Sequence, residues 1–191
     1  MNKSKLLLVI FCILLPLFLL LFSYKIVLGI VNLNENQQRT IDYLQKDEEL
    51  NLGYTNLEFS HLQDVQKVMK AANYLFYFSL LILTLIFTYH KKDRKQLAKL
   101  LKCGGIATIS FILVILLLSA LFFNQVFALF HQIFFPQGNW TFASDSLLIQ
   151  IFPLEFFIGI SRNIFVLTII EGIIFILLFF YLKNDFKNRR N

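Results

Sequence analysis

Charge, glycine, proline and cysteine are all scarce in this chain. Of its 191 residues 16% are charged, well short of the roughly 25% of an ordinary soluble domain. Seven Gly and three Pro, set against 23 Phe and seven Tyr, exclude collagen-like and disordered classes. Two cysteines cannot build a disulfide scaffold. What is abundant is apolar: 57% of the residues are hydrophobic, and the mean hydropathy is +0.65. These residues come in blocks, the pattern of a small polytopic membrane protein, and the length suits a single integral membrane domain over residues 1–191.

A membrane-spanning helix needs roughly 20 apolar residues. Four segments qualify: about 5–23, 71–89, 104–130 and 163–182. The third is long enough to tilt or protrude. The first exceeds a signal-peptide core and has no A-x-A-like site, so it reads as an uncleaved anchor, with Pro16 expected to kink it. Lys3, Lys5, Lys91, Lys92, Arg94, Lys95, Lys99, Lys102, Lys183, Lys187, Arg189 and Arg190 flank the spans on one side, and they are 12 of the 18 basic residues. The bias of basic residues to cytoplasmic loops places both termini and the 91–103 loop inside the cell. It also accounts for the basic pI, so no nucleic-acid partner is expected. Cys12 falls within the first span and Cys103 at the cytoplasmic start of the third, so no disulfide is expected.

The fold class is therefore membrane, mainly α: four transmembrane helices with a small mixed extracytoplasmic cap. The cap is built from two outer connections, about 24–70 and 131–162. In the first, Tyr24–Leu33 reads as a short strand or an interfacial stretch. Asn34–Lys46 reads as amphipathic, with Ile41 and Leu44 on one face, and Leu50–Phe59 is strand-like around Gly53. Ser60 followed by Gln63 is a capping-box pattern that starts a helix continuing into the second span. The second connection is short and aromatic, with Phe134, Phe135, Trp140, Phe142, Phe152, Phe156 and Phe157. It has two readings, an interfacial aromatic belt and a pocket for lipid chains.

Few residues in these segments can do chemistry. His61 and His131 both stand on the outer side, where a span meets the cap. At a helix N-terminus the macrodipole favours a neutral His61; at the end of the third span it favours a charged His131. A neutral imidazole accepts a proton and a charged one donates it, so the two form a candidate base and acid. The alternative is a pair of satisfied cap residues. Asp64, three residues after His61, either orients the imidazole or is a solvated first-turn acid. Arg162 either meets a carbonyl or developing oxyanion or snorkels. Glu171 lies inside the fourth span, where an acid is a functional candidate, or a protonated partner of a neighbouring hydroxyl. His90 reads as an interfacial side chain. There is no G-x-S-x-G, no H-E-x-x-H and no phosphate loop, and two distant histidines are too few for a zinc site. No metal and no cofactor are expected.

Tyr54-Thr55-Asn56-Leu57-Glu58-Phe59-Ser60-His61-Leu62-Gln63-Asp64-Val65 is similar to the first outer motif of a known family. Its second motif is similar to Phe130-His131-Gln132-Ile133-Phe134-Phe135, then Gly138-Asn139-Trp140-Thr141-Phe142, then Phe152-Pro153-Leu154-Glu155-Phe156-Phe157. The family is the bacterial lipoprotein intramolecular transacylase, Lit, and the likeness extends over nearly the whole chain. In the family pattern an acid follows soon after the W-x-F run; here Ala143-Ser144 intervene before Asp145.

The resemblance implies an activity: transfer of the sn-2 acyl chain of an S-diacylglyceryl cysteine to that cysteine's own α-amino group. The product is the lyso form, an N-acyl, S-monoacylglyceryl lipoprotein. It further implies catalysis by His61 and His131, a diacylglyceryl-modified lipoprotein as partner within the bilayer of a bacterial cell, and a site on the outer face. Trp140, Phe142, Phe134, Phe135 and Tyr54 would shape the substrate pocket, with Asp64, Arg162 and Asn139 as orienting or oxyanion groups. Two other readings compete: a non-enzymatic four-span accessory or scaffold, and a lipid-active enzyme open to a second substrate.

Overall fold

The computed structural model describes residues 2–188, and side chains as far as residue 184. Arg189 and Arg190, and the side chain of Lys187, lie outside the described residues. Within the described residues seven helices follow one another: α1 (Lys3–Ile30), α2 (Glu35–Lys46), α3 (Asn56–His90), α4 (Arg94–Leu121), α5 (Phe123–Phe134), α6 (Leu147–Ile151) and α7 (Leu154–Asn188). Four of them, α1, α3, α4 and α7, are long and apolar enough to cross a membrane.

In the bundle α1 packs against α3, α4 and α7, and the most extensive pairing is α4 with α7. Phe11, Leu15, Leu19, Leu83, Ile86 and Leu100 form its core. Lipid offers no hydrophobic drive between helices, so close approach at small residues supplies the adhesion. A Cβ added at Gly105 would stand 2.7 Å from the Gly172 carbonyl oxygen, and one at Gly104 would stand 2.6 Å from both Leu15 and Phe11. Inside the apolar layer, Ser23 donates to Glu171 (3.1 Å) and Thr168 lies 3.0 Å from Ser23. The sequence left Glu171 without a partner; the fold gives it one on α1.

At 35 residues and a rise of 1.5 Å each, α3 exceeds by some 20 Å the roughly 30 Å of a hydrocarbon core. The surplus is its N-terminal part, which carries Glu58, Asp64, Lys67 and Lys70 and stands beyond the apolar layer. It packs there with α2, α6 and the 135–146 segment around a second core of Leu44, Leu62, Leu148, Ile151 and Phe152. The α2 helix is secured by a capping box of Asn34 with Gln37, and Gln37 Nε2 also donates to the Ile151 carbonyl at 2.8 Å.

This cap differs from the expected mixture of strand and helix. Among the described residues there is no strand. Residues 24–30 continue α1, and the strand-like 50–54 stretch is irregular and leads straight into α3. A strand in so small a cap would leave a row of backbone groups without partners, whereas a helix satisfies them internally. The capping box that starts α3 is Thr55 with Glu58 rather than Ser60 with Gln63. The long third span is broken at Phe122 (φ −137°, ψ 43°), so His131 belongs to a separate helix, α5. No α5 residue is buried; Leu129, Phe130, Ile133 and Phe134 are all exposed. The fourth span starts early, as the C-terminal part of a helix that begins at Leu154.

Candidate active site

His61 sits in the second turn of α3 and is 8% exposed. Its ring packs 4.7 Å from Phe135 and 5.4 Å from Phe142. His131 sits in the last turn of α5, 5.7 Å from that same Phe135 ring and 4.8 Å from Trp140. Helix α3 therefore delivers one imidazole, α5 the other, and the loop between α5 and α6 packs on both. Phe135, Trp140 and Phe142, three of the five expected pocket residues, lie directly against the histidine rings.

The hydrogen bonds fix one histidine's tautomer. His131 Nδ1 lies 2.8 Å from the Phe127 carbonyl oxygen. A carbonyl only accepts, so Nδ1 carries the hydrogen and Nε2 is the nitrogen left to exchange a proton. Around His61 the geometry is open: its Nδ1 and Asn139 Oδ1 are both buried without a hydrogen-bond partner. Asn139 is close enough for its amide to favour a protonated His61, yet no bond of normal geometry joins the two.

The His61 pKa is pushed below the ordinary value, first by burial and then by the neighbouring His131; Asn139 and the negative charge of Asp64 oppose the fall. The helix dipole is a minor actor, because its effect fades beyond the first turn and His61 lies in the second. The lowered value favours the neutral ring, and its leading cause is desolvation rather than the dipole.

Asp64 does not reach the imidazole by a hydrogen bond. Its Oδ2 accepts from Asn139 Nδ2 (2.9 Å) and from Gln137 Nε2, and its Oδ1 accepts from Lys67 Nζ (2.8 Å). The Lys67 ammonium and the two amides hold the Asp64 carboxyl below the usual range, against its partial burial. Asn139 Nδ2 also reaches Ser60 Oγ at 3.3 Å. With both donors committed to Asp64 and Ser60, the Asn139 amide is fixed with Oδ1 pointing away from them, as an acceptor. Gly138 makes the turn before it at φ 78°, a left-handed conformation that glycine adopts without strain.

Three expected site residues lie elsewhere. The Tyr54 hydroxyl shares a 2.8 Å hydrogen bond with Thr40, and its ring packs on the cap core. Phe134 is exposed and packs 4.8 Å from Phe130. Arg162 is exposed on α7 and makes no ion pair among the described residues. Gln137 and Glu58 bond to the elements around His61, and neither is among the residues expected from the sequence. The signal for Glu58 was present: Thr55-x-x-Glu58 is a capping box whose acid also suits the positive end of a helix.

The fold and the site together define a polytopic membrane protein in which His61 and His131 pack on one ring, Phe135. A family profile described as lipoprotein intramolecular transacylase Lit matches residues 27–157. The chain belongs to this family. No curated protein matches it. Its fold is similar to that of the membrane-integral lipoprotein intramolecular transacylase Lit from Bacillus cereus, at a TM-score of 0.83 and 21% identity, with 98% of each chain covered. A variant of that protein with one histidine replaced by arginine matches at a TM-score of 0.82 and 20% identity, covering 97% of this chain and 94% of the other.

Proposed function

We propose that this chain moves the sn-2 acyl chain of an S-diacylglyceryl cysteine, at the N-terminus of a lipoprotein, to that cysteine's α-amino group. The observation that supports this most directly is the convergence of His61 and His131 on one ring, Phe135. In the reaction the amine nitrogen attacks the ester carbonyl of its own lipid. A proton leaves nitrogen, the carbonyl carbon–oxygen bond breaks, and a proton reaches the departing sn-2 oxygen. One imidazole to take the first proton and one to give the second are what this exchange needs.

His61 is assigned the role of base, because burial favours its neutral, proton-accepting form. His131 is the acid, donating from Nε2 while Nδ1 stays bonded to Phe127. Asn139 and Asp64 position the His61 ring. Nitrogen, Cα, Cβ, sulfur, two glycerol carbons, the ester oxygen and the carbonyl carbon form an eight-membered ring in the transition state, an entropically awkward closure. Rigid walls of Phe135, Trp140 and Phe142 hold the reactive conformer, and positioning of this kind contributes on the order of 7–11 kcal/mol in favourable cases. Ester becomes amide, so the step runs downhill and needs no energy source. The basic residues of 91–103, a three-residue turn and the first turns of α4 rather than the expected loop, orient the cap to the outer face of the cell membrane, where lipoprotein N-termini lie.

The test uses bond chemistry. A lipoprotein is co-expressed with this chain in a host that makes only the diacylglyceryl form, and its lipopeptide is treated with mild alkali, which cleaves esters and spares amides. One alkali-stable acyl chain with the wild type, and none with His61→Ala or His131→Ala at equal protein levels, is the expected result. Alkali-stable acyl chains with both variants would remove the histidines from the mechanism.

A further inference from the structure

Glu58 is 1% exposed, and among the described residues no other carboxylate is so deeply buried. Its Oε2 accepts from the Thr55 backbone N–H (2.7 Å) and the Thr55 hydroxyl (2.8 Å), closing the start of α3. Its Oε1 accepts from the backbone N–H of Leu148 in α6, at 2.8 Å. The first set of bonds is an ordinary helix cap. The second is not, since it joins segments 90 residues apart. A salt bridge does not neutralise the buried charge among the described residues; N–H and O–H donors alone support it. They, with the Leu147 N–H, outweigh the burial that pushes Glu58 up and hold its carboxyl below the usual range.

Glu58 precedes His61 by three residues on α3, so the two side chains share one face of the helix. Leu148 packs with Leu62 in the cap core, and Phe142, just ahead of α6, packs on the same core and on the His61 ring. The chain from Asn139 to Phe142 is thus held against His61 from two ends: by Asp64 on Asn139, and by Glu58 on α6.

We propose that Glu58 is a positioning residue of the transacylase site, a latch whose bond to α6 keeps the Asn139–Phe142 segment closed over His61. A glutamine cannot replace it. Each carboxylate oxygen faces N–H donors, and whichever way a glutamine amide turned at this position, its NH2 would meet a donor. With the latch open, water reaches His61. The groups that face His61 are His131 from α5, Asn139 from the loop, and Asp64 on its own helix, itself paired with Lys67. None of these is altered by the substitution, and loss of the Glu58 charge one turn away would by itself lower the His61 midpoint, so a rise reports hydration.

The proposal rests on the transacylase reading for its link to activity, but its test does not. The full chain, labelled with 13C-histidine, is placed in phosphatidylcholine/phosphatidylglycerol nanodiscs. The His61 resonance is assigned by its loss in His61→Gln and titrated by NMR. Glu58→Gln is expected to raise the His61 midpoint towards the ordinary value near 6.5, and to move the acid limb of the rate profile equally. Thr55→Val weakens the helix cap but spares the Leu148 bond, and is expected to leave the midpoint at its wild-type value. Leu147→Pro, at a helix position that tolerates proline, removes one latch donor and is expected to shift the midpoint in the same direction, less far. It serves where Glu58→Gln does not fold. A folded Glu58→Gln protein with an unchanged midpoint would overturn the proposal, as would an equal shift in Thr55→Val. If the midpoint moves as expected while wild type yields no alkali-stable acyl chain, the latch stands and the transacylase reading falls.

Discussion

Desolvation separates His61 from an ordinary surface histidine, and the sign of its effect on pH behaviour can be worked through. Burial first, and His131 second, hold its pKa below the ordinary 6.5, so the ring stays unprotonated to a lower pH than a free imidazole. Transacylation is therefore expected to persist below pH 6.5 and to fall as pH drops through the depressed value, about tenfold per unit at the steep end. A rate profile of the wild-type chain in nanodiscs measures this; an acid limb centred above about 6.5 would contradict it. Stability follows the same sign. The unfolded chain takes up the proton first, so the contribution of neutral His61 is complete above about 6.5 and is lost as pH falls through the folded value. At the same scale, Asp64→Ala removes the acceptor for Asn139, Gln137 and Lys67. It is expected to lower kcat more than KM, since it frees the Asn139 amide to turn while leaving the aromatic walls in place.

Helices were easier to read from the sequence than the joints between them. The four apolar runs, and the amphipathic Asn34–Lys46 segment, announce themselves by length and period. The break at Phe122 did not, because the chain on both sides of it is equally apolar; only α5's lack of any buried residue shows that it left the bundle. Likewise the start of α3 carried two overlapping capping patterns, and the one with the glutamate prevails because its acid also bonds α6. The approach of two histidines about 70 residues apart in the chain rests on how α5 folds back, which no local pattern encodes. Two predictions belong here. Gly105→Leu drives a side chain into the Gly172 carbonyl and Ile176; overpacking of this kind costs about 1–3 kcal/mol, and a lower thermal midpoint in detergent checks it. Trp140 is the one tryptophan in the chain, packed on α5 through Phe127 and His131. If α5 lies at the lipid surface, brominated lipids quench its fluorescence; fluorescence indifferent to them would place α5 away from the bilayer.

At the scale of the whole molecule, the bundle and the cap divide the work. The bundle anchors the chain and packs through small residues; the cap, with its own core, carries the polar residues to which the proposed reaction is assigned. A substrate whose acyl chains stay in lipid while its amine stays in water needs a site at such a boundary, which is where the proposed function puts His61 and His131. Orientation is the expectation that follows from the basic turn between α3 and α4. In a chain whose Cys12 and Cys103 are replaced by serine, a cysteine at Glu49 is expected to react with a membrane-impermeant thiol reagent in intact cells, and one at Lys92 only after lysis. The reverse pattern would put the cap on the wrong side for lipoproteins. The most direct test of the account is mass spectrometry of the lipoprotein's N-terminal lipopeptide, made with and without this chain in a host that produces only the diacylglyceryl form. The account predicts an unchanged total mass, with fragmentation showing one acyl chain moved from glycerol to nitrogen. A lipopeptide that keeps both chains on glycerol, or gains a third from another lipid, would contradict it.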